Sequence, residues 1–503
     1  MTGSQDEKAY DKRWLALGAI CIPLIIVSID GTILNVALPT IATALHTTSA
    51  QLVWINAAYI IIFGSTILLG GSLGDKYGRK WTLLLGMIIF GLGSVGAGLS
   101  SNPLTLIFMR GFMGVGGGLL MPATLSIITN IFPDSERQKA IGTWAGMSGI
   151  GVAVGPLAGG AILTYFHWSW VFFVNVPIVI AGLIAIALLV PHSKASDAPP
   201  LDLKGALISF VALLSLFYGI IQGPEIGWSN VSVIFSFILA VILLYLFVWY
   251  EKRVKHPILD INFFKIPEFS SGVISIAISF FALFGLIYML TQFLQFVENY
   301  TPFRAGLALF PFALVLLYGS PKIPILVKKF TRKKVVISGF IIMAAGLFIF
   351  GFVKTSTTYI TVLIALVFVS LGMTMIQVPA SDSIMGSIPR DRAGQGSATN
   401  AAIRQIGSSF GIAIIGTISQ SVYYIQLSAS TAIQNLPSDL ANSALLGIPR
   451  AINIGQELGD SGNALIQAAS NAFVNGMDIS LIITAFIALI GAYTAYRYLP
   501  NKN

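Results

Sequence analysis

The sequence predicts an all-α integral membrane protein in which fourteen helices cross the bilayer. Of its 503 residues, 55% are hydrophobic and only 10% are charged, whereas a soluble domain carries about 25% charged residues. Uncharged apolar runs of about 20 residues, the length that spans a bilayer core of about 30 Å, recur along almost the whole chain. These observations exclude a soluble enzyme and make the membrane the solvent for most of the protein.

The spans follow from a hydropathy window of about 19 residues. The polar N-terminal residues lead directly into the first apolar run, without the short apolar core and cleavage pattern of a signal peptide. We therefore interpret this run as a retained first span. The spans are predicted at 14–37, 51–73, 81–100, 104–127, 138–163, 168–190, 204–222, 231–250, 270–297, 304–328, 334–353, 359–383, 397–424 and 478–498.

Lys and Arg residues lie mostly in every second connection between these spans. If the N-terminus is cytoplasmic, 23 of the 29 basic residues are inside, and only Arg304, Lys354 and Arg450 are outside. The positive-inside rule therefore predicts that both termini are cytoplasmic. Because the basic residues form short clusters and no continuous face, we expect no nucleic-acid partner despite the net charge of +9.

Two connections stand out from the rest. Residues 191–202 have the Pro, Ser and Asp composition of a linker, and 425–477 is a long polar external segment whose secondary structure the sequence leaves open. The stretch 131–155 resembles 387–411, which indicates duplicated halves, although two glycine-rich stretches can also be similar by chance. The predicted units are an N-terminal six-helix bundle at 1–190, a linker with two inserted helices at 191–269, and a C-terminal six-helix bundle at 270–503.

Asp30 and Arg110 are charged residues inside predicted spans 1 and 4. An acid within a span is a candidate functional residue, because placing it there costs roughly 2.5–3.5 kcal/mol. Counting about 1.5 Å per residue places Asp30 about 24 Å from the cytoplasmic start of span 1 and Arg110 about 10 Å below the outer surface, so the two lie at similar depth. The pair is either a proton switch, in which burial and the neighbouring charge shift the pKa of the carboxyl in opposite directions, or a static salt bridge.

Span 5 contains a ridge of small residues in the stretch GVAVGPLAGG. Such residues let helices approach closely, and a proline removes one backbone hydrogen bond and bends the helix. The pattern predicts a bent, smooth helix that gates the interface between the two halves. The residues of this ridge are Gly151, Gly155, Pro156, Gly159 and Gly160.

The stretch GSLGDKYGRK at 71–80 joins spans 2 and 3. Gly74 and Gly78 permit a tight turn, and Gly71, Asp75, Gly78 and Arg79 are the residues of a predicted conformational latch. Asp75 is suited to capping a helix N-terminus, and Arg79 is suited to contacting the carbonyls at a helix C-terminus or an acidic side chain. We expect these charges to latch one conformational state.

Two stripes of polar and aromatic residues run along predicted spans 2 and 9. Asn56, Tyr59 and Phe63 lie on one face of span 2, and Tyr288, Gln292 and Gln295 lie on one face of span 9, at helical spacing. Each stripe either lines a substrate cavity or forms hydrogen bonds between helices, and the sequence does not decide between these alternatives.

Other charged or reactive residues are given no functional role. Lys322 can reach the membrane surface from the end of span 10, and the same interpretation applies to Arg404 in the inner part of span 13. Cys21 is interpreted as a small buried apolar residue. The sequence contains no nucleotide-binding loop, hydrolase motif or cluster of metal ligands. We therefore expect no enzyme activity, no metal and no cofactor, with a proton gradient as the energy source.

These motifs resemble those of the major facilitator superfamily, in particular its fourteen-helix drug:proton antiporter family of the EmrB/QacA type. IDGTILNVALP (29–39) is similar to the span 1 signature of that family, with Asp30 in the acid position. GSLGDKYGRK (71–80) is similar to its loop signature, LIFMRGFMGVGG (106–117) to its span 4 motif, and GVAVGPLAGG to its span 5 antiporter motif. The four motifs occur in order, and the resemblance covers the whole chain.

The resemblance implies the major facilitator fold and export driven by the proton gradient through alternating access. It assigns coupling to Asp30 and Arg110 and gating to the span 5 ridge. The chain departs from the family pattern at Met113 and Ser169, where the family commonly has a polar residue and an arginine. The loop KKFTRKK (328–334) lacks an acid, so a second copy of the Asp75 latch is expected to be missing.

The leading hypothesis is a monomeric exporter of small lipophilic or cationic compounds in the bacterial cytoplasmic membrane, with membrane lipid around it. The alternative is a proton-coupled exporter dedicated to one metabolite, such as an amino acid, siderophore or antibiotic. A receptor or channel built on a transporter fold is a third class. The acids Glu298 and Asp382 in the region from 270 onward each lie near the end of a span, which argues against divalent cations as substrates.

Overall fold

The computed structural model describes residues 13–194, 202–255, 257, 261–355, 358–388 and 393–499. Within these ranges the regular structure is helical and contains no strand. Fourteen long helices, numbered here in chain order, coincide with the predicted spans. They are α1 (Arg13–Ala44), α2 (Ser49–Tyr77), α3 (Arg79–Gly98), α4 (Pro103–Ile131), α5 (Asp134–Tyr165), α6 (Asn175–Leu189), α7 (Leu203–Ile226), α8 (Val231–Glu251), α9 (Pro267–Gln292), α10 (Pro302–Gly319), α11 (Arg332–Phe350), α12 (Tyr359–Gly386), α13 (Ala393–Ser428) and α14 (Asn463–Tyr498).

Three of these helices are extended by short helical segments. Trp170–Phe173 precedes α6, a π-helical turn at Phe293–Val297 follows α9, and Ser320–Lys322 and Ile323–Phe330 continue α10. A short 3₁₀ helix at Ile261–Lys265 precedes α9. These segments complete the lengths that the hydropathy pattern predicts for spans 6, 9 and 10.

Thirteen of the described helices are long and apolar enough to cross a membrane. The helix α5 has 32 residues, and Val154–Tyr165 is the apolar stretch among its described side chains. The all-helical membrane architecture is therefore established, whereas the count of fourteen spans and the side of the two termini stay predictions.

Polar caps fix where several helices begin and end. The Thr48 side chain accepts a hydrogen bond from the backbone N–H of Gln51, and the Gln51 side chain bonds back to Thr48, which forms a capping box at the start of α2. Asn102 caps α4 in a similar way. Gly78 has a φ of 114°, a conformation that glycine adopts without strain, so that α2 ends and α3 begins on either side of a single residue.

The two stretches that resemble each other in sequence make equivalent packing contacts. A β-carbon at Gly151 would lie 2.6 Å from the Cβ atom of Ser28, which places α5 against α1. A β-carbon at Gly407 would lie 2.6 Å from the carbonyl oxygen of Ala277, which places α13 against α9. In both cases the contact is closer than any side chain larger than glycine allows.

The inserted helix α7 contacts helices of both predicted halves. The rings of Phe217 on α7 and Phe410 on α13 are 4.7 Å apart, and the Thr417 hydroxyl donates a hydrogen bond to the Ile220 carbonyl at 2.9 Å. The helix also packs against α2. The division into three units at 190 and 270 stays a prediction, but the inserted pair is packed on the bundle, with α8 against α7.

The segment 425–477, whose secondary structure the sequence leaves open, is mostly helical. The helix α13 continues to Ser428, and α14 begins at Asn463 instead of the predicted 478. Short helices fill the interval, and the longest of them buries one apolar face. A hydropathy window averages such an amphipathic helix to a polar value, so it was not visible in the sequence. The short helices are Thr431–Gln434, Ser438–Leu445, Ile448–Glu457 and Gly459–Gly462.

Candidate functional site

Asp30 and Arg110 form a buried ion pair between α1 and α4. The Arg110 Nη1 atom donates a hydrogen bond to Asp30 Oδ2 at 2.6 Å, and both residues have an exposed fraction of 0%. Removing one partner of such a pair leaves an uncompensated charge, which is strongly destabilising. The depths counted from the sequence agree with this pairing.

The surroundings of the pair hold the guanidinium but leave several polar atoms unpartnered. Arg110 Nε donates to the carbonyl of Ile55 at 3.3 Å, and the Arg110 Cζ atom lies 4.3 Å from the centre of the Tyr59 ring. The Sδ atom of Met113 lies 3.8 Å from Nη1. In the described structure Asp30 Oδ1, Arg110 Nη2 and Tyr59 Oη have no hydrogen-bond partner. Because buried polar atoms are normally paired, this ion pair retains hydrogen-bonding capacity that the described structure does not use.

The span 5 ridge has two faces that contact different helices. Gly151, Gly155 and Gly159 face α1, where Ser28, Thr32 and Ile33 occupy the space that a side chain would need. Gly160 faces α10, and a β-carbon there would lie 2.6 Å from the Cα atom of Phe303. The backbone of Pro156 contacts Gly306 of α10 just as closely. The ridge therefore joins the helix that carries Asp30 to a helix of the second predicted half.

Several contacts between the predicted halves lie at the end of the bundle that carries residues 45–48, the end predicted to be external. The Gln295 amide donates to the carbonyl of Val36 at 2.8 Å. Arg450 donates to the carbonyls of His46, at 2.7 Å, and Thr47, at 3.3 Å. The α5 and α10 contact lies at the same end. In this structure the two halves are closed together there.

The polar residues of the predicted stripe on α2 are buried. The Asn56 amide donates to the Asn35 side chain at 2.9 Å, which is the interhelical hydrogen bond that the sequence left open as an alternative. Tyr59 packs against Arg110 and stacks with Phe63 at 5.7 Å. In this structure these residues are part of the packing around the ion pair.

The stripe on α9 is also largely buried. Tyr288 has an exposed fraction of 2% and Gln292 of 3%, and the Gln292 amide donates to the Tyr288 carbonyl at 3.3 Å. Gln295 is half-buried and bonds to α1. This stripe therefore supports contact between the halves in the state described.

The connection between α2 and α3 has the tight turn that the sequence predicts. Arg79 Nη1 donates to the carbonyl of Ser126 in the last part of α4, at 3.3 Å. A β-carbon at Gly71 would lie 3.5 Å from Cβ of Pro122 on the same helix. The side chain of Asp75 lies outside the described part of the structure, so its role in the predicted latch stays a prediction.

An ion pair between Arg332 and Asp382 joins two helices of the second predicted half, where the loop at 328–334 lacks an acid. Arg332 begins α11 and pairs with Asp382 in the last part of α12. It corresponds to the contact of Arg79 with Ser126 in the first half. The acid of this pair lies on a helix and not in the loop, so the expected absence of a second copy of the Asp75 latch stays a prediction.

Arg404 also differs from its prediction. Its side chain bonds inside the protein, to Ser381 Oγ at 3.0 Å and to Asn400 Oδ1 at 3.3 Å, instead of extending to the membrane surface. Lys322, in contrast, is exposed, as expected for a residue near a helix end. Counting residues along one helix could not show which neighbours surround Arg404.

A bundle of apolar helices with a buried ion pair at its centre and two halves in contact at one end is the architecture of a membrane transport protein. The family model of the Major Facilitator Superfamily matches residues 20–412. The chain therefore belongs to the Major Facilitator Superfamily and is a multi-pass membrane transporter, not an enzyme.

Relatives and solved structures agree with this assignment. The chain is 30% identical to the multidrug efflux pump LfrA of Mycolicibacterium smegmatis, covering 96% of this chain and 95% of the relative. It is 28% identical to the methyl viologen resistance protein SmvA of Salmonella typhimurium, over 93% and 95% of the two chains. The solved structure of a bacterial homolog to the human lysosomal transporter Spinster, inward-facing and unoccupied, has a TM-score of 0.67 at 18% identity, covering 97% and 98%. That structural similarity concerns the fold alone.

Proposed function

We propose that this chain is a proton-coupled antiporter that exports small lipophilic or cationic compounds from the cell by alternating access. The buried pair of Asp30 and Arg110 carries the proposal, because it is an intramembrane acid with an unpartnered oxygen held against a cation. The multidrug efflux and methyl viologen resistance described for the relatives support export of such compounds.

The proton step uses only this pair and the helices around it. A proton added to Asp30 neutralises the carboxylate and weakens its hold on Arg110, whose guanidinium then keeps the Ile55 carbonyl and the Tyr59 ring as partners. Loss of the proton restores the ion pair. The two protonation states therefore favour two different positions of α1 relative to α4, which is the bistable element that coupling requires.

The movement of α1 reaches the interface between the halves through direct contacts. Ser28 and Thr32 pack against the glycine ridge of α5, and the Val36 carbonyl accepts a hydrogen bond from Gln295. We propose that the described state is closed to the outside, with fourteen spans and both termini in the cytoplasm, as the positive-inside rule predicts.

Proton release from inverted membrane vesicles tests the proposal. Addition of the monocation ethidium to energised vesicles that contain the native chain is expected to release protons. Asp30→Asn is expected to abolish this release when vesicles with equal amounts of folded protein are compared, since the variant leaves Arg110 buried without its counter-ion. Asp439→Asn removes an exposed carboxylate on a short helix and is the matched control. Proton release that persists in Asp30→Asn would contradict coupling at this residue, and transport without any proton release would contradict antiport.

A further inference from the structure

Arg404 is a cation deep inside the bundle that the proton mechanism does not use. Its neighbour Gln405 packs against Gly64, with a β-carbon distance of 3.2 Å, and Gly64 lies near the middle of the 29-residue helix α2. The backbone of Arg404 therefore lies inside the bundle, and its guanidinium bonds to Ser381, five residues before α12 ends at Gly386. A charged side chain in such a position marks a substrate or ion pathway by default.

The partners of Arg404 are neutral and leave donors free. The side chain donates one hydrogen bond to Ser381 and one to Asn400, and in the described part of the chain no carboxylate pairs with it. A guanidinium has five N–H donors in a planar fork. The remaining donors are suited to a carboxylate or sulfonate, which a guanidinium binds through two parallel hydrogen bonds.

An aromatic surface lies next to this guanidinium. The Phe280 ring centre is 5.3 Å from the Arg404 Cζ atom, and Phe280 stacks with Phe284 at 6.1 Å and an interplanar angle of 17°. All three side chains are only half-buried, so they retain accessible surface despite their position inside the bundle. A flat ring that lies against the two phenylalanines would place an attached acidic group at Arg404.

We propose that Arg404, with Phe280 and Phe284, forms a binding site for aromatic molecules that carry a carboxylate or a related acidic group. The inference rests on the proposed export function and adds a substrate class to it: amphipathic acids and zwitterions, besides uncharged and cationic compounds. Asp30 in the first half handles the proton, and Arg404 in the second half recognises the acidic group of the substrate.

Two dyes with the same ring system provide the test. Rhodamine 110 carries a free carboxylate, whereas rhodamine 123 carries its methyl ester. Binding of each dye to the full chain in phosphatidylcholine nanodiscs is measured by fluorescence anisotropy. Arg404→Gln is expected to lower the affinity for rhodamine 110 by about tenfold or more, which is the effect of losing a charged hydrogen-bonded partner. The affinity for rhodamine 123 is expected to change by less than about twofold. Arg404→Lys should fall between, and Lys322→Gln, which removes an exposed cation, should change neither dye.

Several results would overturn the site. An equal loss of affinity for both dyes in Arg404→Gln would show a structural role for Arg404. Unchanged affinity for rhodamine 110 would show that Arg404 has no role in recognition. If exchange of the nanodisc lipid for anionic phosphatidylglycerol abolishes rhodamine 110 binding to the native chain but leaves rhodamine 123 binding, the site takes an anionic lipid headgroup and the substrate assignment is wrong. Retained rhodamine 123 binding shows that each variant is folded.

Dye uptake into inverted vesicles separates this proposal from the proposed function. Arg404-dependent binding of rhodamine 110 without proton-driven uptake of either dye would contradict export and support the site. Proton-driven uptake of rhodamine 123, together with rhodamine 110 binding that is unchanged in the Arg404 variants, would support export and contradict the site.

Discussion

The contact of Gly160 with α10 predicts that a single methyl group at this position shifts the conformational equilibrium. In Gly160→Ala the new β-carbon would lie 2.6 Å from Phe303 Cα and 2.8 Å from the carbonyl oxygen of Pro302. Carbon contacts are favourable at about 3.5–4.0 Å. Because both neighbours are backbone atoms that cannot rotate away, α5 and α10 must separate by about 1 Å.

The size of the conformational shift follows from the fact that the clash exists only in the state in which α5 and α10 touch. Overpacking of this kind costs about 1–3 kcal/mol, and this penalty applies where the halves touch at the 45–48 end but not where they are apart. The population ratio of closed to open molecules at this end should therefore fall by roughly 5- to 150-fold. Substrate export should fall as well, because the transport cycle requires both states.

Pulsed electron paramagnetic resonance measures this shift directly. Spin labels at Ser101→Cys and Thr355→Cys, in a Cys21→Ser background, report the distance between exposed connections of the two halves at this end. The longer-distance population should increase in Gly160→Ala. Gly18→Ala adds the same methyl group where nothing lies within 4 Å, and it should leave the distances unchanged. An unchanged distribution in Gly160→Ala, or an equal shift in Gly18→Ala, would refute the reasoning.

Three further predictions concern the ion pair, the α2 to α3 turn and the external segment. Arg110→Ala should lower the free energy of unfolding by about 3–5 kcal/mol, because Asp30 is left buried without its counter-ion, and adding Asp30→Asn should recover much of this loss; a double variant as unstable as the single one in denaturation experiments would contradict the argument. Gly78→Ala should lower stability by about 1–2 kcal/mol, since φ is 114° there, and an unchanged thermal unfolding temperature would contradict it. Arg450→Gln should accelerate amide hydrogen exchange in the helix Ile448–Glu457, because it removes the hydrogen bonds to the 45–48 connection; unchanged exchange would show that these bonds do not hold the segment.

The positions of the long helices were predictable because the bilayer imposes a single length and polarity on every span. The pairing of Asp30 with Arg110 was predictable for a related reason. Inside a membrane, charges are few, and two opposite charges at the same depth have few other partners. The sequence pattern also places the tight turn at Gly78, because a single glycine separates two runs of helical periodicity.

Other features depend on which helices are neighbours, and residue counting along one helix does not supply this. The pair of Arg332 and Asp382 joins residues that are 50 positions apart in the chain, and Arg404 meets Ser381 from another helix. The choice between a cavity and a hydrogen bond for Asn56 likewise depended on the position of Asn35. In each case the residue type was visible in the sequence and its partner was not.

The two halves share a packing arrangement, α1 against α5 and α9 against α13, but they differ in the polar side chain that α1 and α9 bury there. Its counterpart α9 packs against glycines of α13 as α1 packs against glycines of α5, but the residue buried on that part of α9 is Ser279, whose hydroxyl bonds to its own helix. At the corresponding place α1 has a titratable acid, Asp30, and the same helix bonds through Val36 to the second half. From Asp30 to Val36 the helix advances only about 9 Å, so the charge change and the contact between halves belong to one rigid element. In the proposed mechanism, no extended pathway of intermediate residues is needed for a proton on Asp30 to bias the closure of the bundle.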